Sequence, residues 1–398
     1  MIKVSKVCTE DRFGAVRVYC DYEMHSSQER LWFEVSEEHL IHMSVECGDA
    51  FFVALVLMAH LRSQDISFTT PVSARLYYGV TEVLLPALRI LSPNLPAISV
   101  VAETRDFHFT PTESGTALSL GVDSFHAIAS SLDGPFPVTS LTLFNSGAFG
   151  DYGGDESRSL FWRTAENVAE AASEMGLPLI LIDSNISEIL QVSFVRTHSI
   201  RNLSFALLLP RLFSKFYYAS GYPVSEFRLD ASVVAATHYD LLMSKALCTE
   251  TLEVMIAGLH DDRIDKIASI STFPPALHHL NVCVIAESNQ FLDQSLSSVR
   301  NCSRCFKCVK TMVALDALGL LDSYSQVFDL VLYRSERTSN LGRILYDAMK
   351  LKSAHAMEIV SEGKNRPGFI PPQAYGYAAM RGFRNLLRKL QRDGRTPP

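Results

Sequence analysis

From Gly115 onward, short apolar runs alternate with amphipathic stretches, and this alternation restricts the fold more than any other feature of the chain. Residues 115–130, GTALSLGVDSFHAIAS, read as a strand, a turn at 119–124 and an apolar-faced helix. Residues 138–144 form a second apolar run ending at Asn145-Ser146-Gly147, and 160–175 carry helical periodicity. A third run, 177–182, closes with Asp183-Ser184-Asn185, followed by a predicted helix at 203–213 and a strand at 216–220. Strands separated by helices need crossover connections, so the expected fold is α/β, a parallel sheet with helices on both faces. Ligands of such sheets bind beyond the carboxyl ends of the strands, where residues 119–124 fall.

The turn Ser119-Leu120-Gly121-Val122-Asp123-Ser124 points backbone N–H groups and two hydroxyls into one concavity at a helix start, a place suited to phosphate. Gly121 permits close approach of an anion, and Asp123 and Ser124 are able to cap the first helical donors.

Downstream, Cys302, Cys305 and Cys308 form C-x2-C-x2-C within NCSRCFKC. Three thiolates so close converge on one ion, and zinc takes four ligands about 2.3 Å from each sulfur. Cys283, at a predicted strand end, is the expected fourth ligand, with His278 and His279 as rivals and an iron–sulfur cluster as the other thiolate chemistry. The eight cysteines show no evenly spaced disulfide framework, which fits a reducing compartment.

The remaining sequence sets the frame. In residues 1–112, strands are expected at 15–22 and 31–35 and helices at 51–62 and 76–91, the latter interrupted at Pro86. Helices are expected at 312–321, 325–333 and 341–359, then a Pro-bearing linker at 366–372 and a basic amphipathic helix at 380–390 with Arg381, Arg384, Arg388 and Lys389. That helix reads as a solvated face, with RNA or an acidic partner as alternatives. A net charge of −7 argues against a nucleic-acid-coating surface. The longest apolar run, 51–59, is far below the ~20 residues of a membrane span. With no leader read in the first residues, the expected location is cytoplasmic.

The turn S-x-G-x-D-S resembles the pyrophosphate loop of the PP-loop ATP pyrophosphatases (adenine nucleotide alpha-hydrolases), usually S-G-G-x-D-S, with Leu120 in place of the first glycine. The run NCSRCFKCVKTMVALDALG resembles the N-C-G-x-C-x-K-C-x-R-T-M pattern of a bacterial branch related to 7-cyano-7-deazaguanine (preQ0) synthase. Ser303 stands there for glycine and Lys310 for arginine. His238-Tyr239-Asp240 and residues 258–267, G-x4-R-x2-K-I, also fit; Arg263 and Lys266 share a helix face.

The chain is thus expected to hold a small N-terminal α+β domain at 1–112, an ATP-binding domain at 113–280 that the resemblance implies to be HUP-like, a zinc-stapled helical region at 281–365, and a linker with a basic helix at 366–398. The resemblance implies ATP, Mg2+ and Zn2+ as cofactors. Ser119, Leu120, Gly121, Val122, Asp123 and Ser124 would hold pyrophosphate, Phe144 and Asn145 would meet the nucleoside, and Asp123, Arg263 and Lys266 would serve the reaction. That reaction is adenylation of a carboxylate or carbonyl, releasing pyrophosphate, followed by attack of ammonia or an amine. The partners implied are a small-molecule or peptide substrate and a nitrogen donor, with a homodimer compatible. The alternatives are sulfur transfer, for which Cys248 is the remaining candidate and no C-x-x-C is left over, and a degenerate module that binds nucleotide or a partner without turnover.

Overall fold

The computed structural model describes residues 1–283 and 300–393, with side chains to residue 387. The described residues form an α/β structure that divides into two units: residues 1–119 with 127–260, and residues 120–126 with 261 onward.

The first unit is built on an eleven-stranded mixed sheet. Its N-terminal part comprises β1 (Ile2–Val4), β2 (Cys8–Arg12), β3 (Ala15–Met24), β4 (Ser27–Ser36), β5 (Ile66–Phe68) and β7 (Val100–Val101), while β6 (Val72–Ser73) and β8 (Thr104–Arg105) pair apart. The β3–β4 hairpin shows the alternation of a half-buried ribbon, with Val16, Val18, Cys20 and Tyr22 inward. The parallel part comprises β9 (Glu113–Ala117), β10 (Ser140–Phe144), β11 (Leu179–Ser184), β12 (Phe213–Ala219) and β13 (Glu253–Ala257), in the order β13-β12-β9-β10-β11. The order therefore reverses at β9, and doubly wound sheets bind their ligands where such a reversal occurs.

β11 and β4 pair antiparallel and join the two parts into one sheet. Asn185 extends the joint: its Oδ1 accepts the Trp32 N–H at 2.9 Å and its Nδ2 donates to the Arg30 carbonyl at 2.8 Å. A chain of rings, Phe51–Phe33–Phe205–Phe144–Phe216–Phe213, runs through the shared core with centroids 5.0–6.1 Å apart.

Helix α1 (Asp49–Arg62) is buried at every position from Asp49 to His60, which explains its apolar residues on all sides. The expected helix at 76–91 is α2 (Ala74–Gly79) and α3 (Leu85–Leu91) joined by a π-turn at Val80–Leu84. Pro86 enters just after that turn, at the second position of α3. α4 (Val122–Ser131) follows the 119–124 turn, and α5 (Asp155–Met175) starts earlier than its apolar periodicity suggested. After α6 (Ile186–Leu190), α7 (His198–Ala206) occupies the place of the helix expected at 203–213; Phe213 instead opens β12. α8 (Asp240–Ala246) precedes β13, a strand the sequence reading missed.

The second unit is helical: α9 (Arg263–Ile270), α10 (Pro274–His279), α11 (Phe306–Leu318), α12 (Leu330–Met349), α13 (Ala354–Lys364) and α14 (Pro372–Asp393). The single helix expected at 341–359 breaks at 350–353, where Lys352 takes a left-handed φ of 55°. The helix expected at 325–333 begins only at Leu330. α14 lays Ala374 and Ala378 inward and exposes Met380, Phe383, Leu386 and Leu387. Arg388 and Lys389 lie beyond the described side chains. No described helix is long and apolar enough to cross a membrane.

Candidate functional site

Two constellations form within the second unit. The first gathers around Asp123 in the first turn of α4. Helix α9 is set by a reciprocal cap, Asp262 accepting the Asp265 N–H at 3.0 Å and Asp265 accepting the Asp262 N–H at 3.4 Å. His126, one turn beyond Asp123, holds the approach to α9 through Asp261 (2.9 Å) and Ser269 (3.3 Å). Thus placed, Arg263 Nη1 lies 2.6 Å from Asp123 Oδ2, and Lys266 Nζ lies 3.6 Å from Oδ1. The three expected reaction residues therefore come together.

Burial alone would raise the Asp123 carboxyl, but the Arg263 and Lys266 charges and the Arg263 hydrogen bond outweigh it and hold it below the usual carboxylate range. Lys266 is almost fully buried, which lowers its ammonium against the pull of Asp123. Two further helices bring groups that sequence reasoning did not assign. Lys310 of α11 donates toward His355 Nδ1 of α13 at 3.2 Å, and Glu358 accepts the Arg263 N–H at 3.0 Å. Burial, then the nearby Arg263 and Lys307 charges, bring Lys310 down to about 8. Burial, then Lys310, push His355 down to about 3, so its ring is neutral at physiological pH.

The loop itself takes an unusual backbone. Leu120 has φ of +59°, the left-handed region that glycine enters freely, while its side chain is wholly buried. Its carbonyl accepts the Asn281 N–H at 2.8 Å. Ser303, the other position where the chain departs from a glycine of the resembled motifs, also has positive φ, +56°. Its hydroxyl accepts the Asp329 N–H at 2.9 Å at the start of α12.

The second constellation is the cysteine cluster. The sulfurs of Cys283, Cys302, Cys305 and Cys308 lie within 4.8 Å of one another. Cys305–Cys308 is 3.4 Å and Cys302–Cys308 is 3.8 Å. A tetrahedron with ~2.3 Å metal–sulfur bonds has edges of about 3.8 Å, so the donors fit zinc in number, type and spacing. Cys283, not His278 or His279, completes the set, although residues 281–283 carry no strand pairing. The loop expected to fold back, 284–299, lies outside the described residues.

Backbone N–H groups already point at sulfur, from Cys305 to Cys302 (3.3 Å) and from Cys308 to Cys305 (3.5 Å). Crowding divides the protons unequally: the donated hydrogen bond of Cys283 brings Cys302 down to about 6, and neighbouring thiols lower Cys305, while Cys283 and Cys308 are pushed up. Asn301 ties the cluster to its surroundings. Its Oδ1 accepts the Val282 N–H (2.9 Å), and its Nδ2 donates to the carbonyls of Leu280 (2.8 Å) and Val327 (3.0 Å).

The first unit holds a polar network beyond the ends of its parallel strands. Asn145 Nδ2 donates to Asp183 at 2.6 Å, and Arg158 pairs with Asp183 at 3.4 Å and with Glu188. Arg201, fully buried on α7, donates to the carbonyls of Ser146 (3.1 Å) and Val192 (2.6 Å). A side chain at Gly147, φ +124°, would collide with that guanidinium. His198 bonds Tyr218 and Thr237, and burial lowers its ring to about 4. The polar triplets after the second and third strands signalled this network; nothing local signalled His198 or Arg201. Phe144, expected beside a nucleoside, instead packs its ring between Phe205 and Phe216, leaving Asn145 as the polar group at that strand end. Cys248 is buried, donates to the Ser244 carbonyl at 2.9 Å and receives the Val254 N–H at 3.4 Å. No protein-family model, curated protein or solved structure matches this chain.

Proposed function

We propose that the chain is an AMP- and pyrophosphate-forming enzyme of the PP-loop type, adenylating a carboxylate or carbonyl for attack by ammonia or an amine. The observation that carries this reading is the meeting of loop residue Asp123 with Arg263 and Lys266, 140 residues along the chain. The left-handed backbone of Leu120 and Ser303 adds support, since each stands where the resembled motif has a glycine, the residue that enters this region freely.

In this reading a substrate oxygen attacks the α-phosphorus and the bond to the β-phosphate bridging oxygen breaks. The electron pair leaves with pyrophosphate, where Arg263 and Lys266 offset the developing charge. The nitrogen nucleophile then attacks the activated carbon, AMP departs with the substrate oxygen, and the nitrogen releases its proton to solvent. In this reading Ser119, Asp123 and Ser124 would be the hard oxygen donors to Mg2+, which would neutralise the phosphates. The zinc site is structural, stapling α11 to the segment before it. Cys248, enclosed in the core, does not favour sulfur transfer.

The test is product analysis with labelled ATP, Mg2+ and a small-molecule extract of the native host. AMP and pyrophosphate from wild type, reduced at least ~100-fold in Asp123→Ala, are expected. ADP and phosphate, or AMP formation untouched by the substitution, would refute the reading. Stoichiometric ATP binding without turnover in any extract would favour the binding module.

A further inference from the structure

Helix α14 turns its small residues toward the protein and its bulky apolar ones away from it, the reverse of an ordinary surface helix. Ala374 and Ala378 are buried, a Cβ on Gly342 of α12 would collide with Tyr377 and the Ala374 carbonyl, and one on Gly382 would touch the Tyr346 ring. Asn385 Nδ2 donates to the Tyr346 hydroxyl at 3.1 Å, and the Arg381 guanidinium lies 5.7 Å from the centroid of the same ring. Positions 374, 378, 382 and 385 thus form the helically spaced stripe that seats α14 on α12. Met380, Phe383 and Leu387 follow i, i+3, i+7 spacing on another face, with Leu386 beside them. All four are exposed, Phe383 by 62%.

Gly342 meets Tyr377, and Tyr346 meets Gly382 and Asn385, so α12 and α14 run in the same direction. α12 ends at Met349, and the last turns of α14 therefore overhang it. Met349 and Leu351, at that end of α12, are exposed as well.

A contiguous apolar row of this kind marks an interaction surface, and the charge beside it selects the partner. The α14 sequence carries Arg381, Arg384, Arg388, Lys389 and Arg392 against Asp393 alone, in a chain whose net charge is −7. Arg384 is exposed next to Phe383. A two-fold contact between copies through this face would set two basic helices against each other, which repels. Methionine and leucine side chains offer no ring for bases to stack on, so a nucleic acid strand would leave most of the row uncovered. A surface that is anionic outside and apolar beneath satisfies both features. Apolar side chains sink below the headgroups while guanidinium groups stay at the level of the lipid phosphates.

We propose that the exposed face of α14 docks on an anionic lipid surface, inserting Met380, Phe383, Leu386 and Leu387 with Arg384 at the headgroups. The helix lies along that surface; it is not apolar enough to cross it. This docking is independent of the adenylation reading.

The experiment is flotation of the full zinc-loaded chain with vesicles of phosphatidylcholine alone or with about 30% phosphatidylglycerol, at ~0.1 M and ~0.5 M salt. Wild type is compared with Phe383→Asp/Leu387→Asp, with Arg384→Gln, and with the control Phe13→Asp, whose exposed ring belongs to the first unit. Zinc content and sedimentation without lipid are measured on each. Wild type is expected to bind the anionic vesicles at least ~10-fold better than phosphatidylcholine alone and to be released at the higher salt. The double variant should lose at least ~10-fold of that binding, Arg384→Gln about 3- to 5-fold, and Phe13→Asp less than ~2-fold. Should the double variant lose zinc, Phe383→Ser is read in its place, with a loss of at least ~3-fold expected. Equal binding to both vesicle types, binding to neither, or binding that the zinc-loaded variant retains overturns the proposal. A wild type that sediments as a dimer without lipid, and as a monomer once Phe383 and Leu387 are replaced, assigns the face to a second copy and overturns it too.

Discussion

Leu120 offers a sharp test because two ordinary effects oppose each other there. Its φ of +59° is a conformation that costs an L-residue about 1–2 kcal/mol, and glycine nothing comparable. Its wholly buried side chain repays this, since removing a buried leucine costs ~2–5 kcal/mol. Leu120→Ala and Leu120→Gly both lose the side chain and leave nearly the same cavity. They differ in the backbone: alanine keeps the left-handed penalty and glycine sheds it. Leu120→Gly should thus be less destabilised than Leu120→Ala by about 1 kcal/mol. At an ordinary position the order is reversed, with glycine worse by roughly 0.5–1 kcal/mol. The two outcomes are separated by about 2 kcal/mol, roughly 30-fold in the folded-to-unfolded ratio. Urea unfolding of both variants, followed by circular dichroism, measures the difference directly, because the shared transfer and cavity costs cancel. If alanine proves equal or better, the turn is not left-handed at Leu120, and its likeness to a glycine-bearing phosphate loop loses its conformational basis.

Metal analysis should find one zinc per chain, and Cys283→Ser should reduce its retention under chelator. Asn301→Ala leaves the Val282 N–H and the Leu280 and Val327 carbonyls without their side-chain partner, each worth ~1–3 kcal/mol if left unsatisfied, and should loosen the metal and lower the unfolding midpoint. For His198 the folded pKa, about 4, lies below the ordinary value of 6.5. The unfolded chain therefore binds the proton first, so this stabilisation is complete above pH ~6.5 and fades as pH falls toward about 4. At ~1.4 kcal/mol per unit the loss reaches at most about 3 kcal/mol, since the ring keeps some contact with solvent. Denaturation midpoints of wild type and His198→Phe across that window should converge at low pH, and parallel curves would exclude the effect.

Much of the site was legible because it is local. The 119–124 turn lies between a strand and a helix whose apolar patterns are plain, and the three clustered cysteines are close enough along the chain to share one ion. Periodicity was weaker at boundaries. It placed a helix at 203–213, where α7 ends at Ala206 and Phe213 already belongs to β12, because an apolar run does not say which neighbour will bury it. It also ran 341–359 together, since the left-handed Lys352 that separates α12 from α13 leaves no mark in the apolar spacing. Phe144 was expected at a ligand for its place after a strand, yet its ring belongs to the aromatic chain of the core.

What the sequence determined by itself is short-range: strand, turn and helix around Asp123, and the C-x2-C-x2-C chelate. Both follow from steric and hydrogen-bonding preferences acting over a few residues. Tertiary structure alone decided that β11 pairs with β4, and that Lys310 and His355 reach the charges beside Asp123; it also settled the fourth sulfur on Cys283, which the sequence had offered with His278 and His279 as rivals. Those contacts join segments far apart in the chain, and they arise only when whole helices and strands bury their apolar faces. Side-chain spacing along one element carries no record of which distant charge will meet it, and so the meeting of Asp123 with Arg263 and Lys266 emerges only in the folded protein.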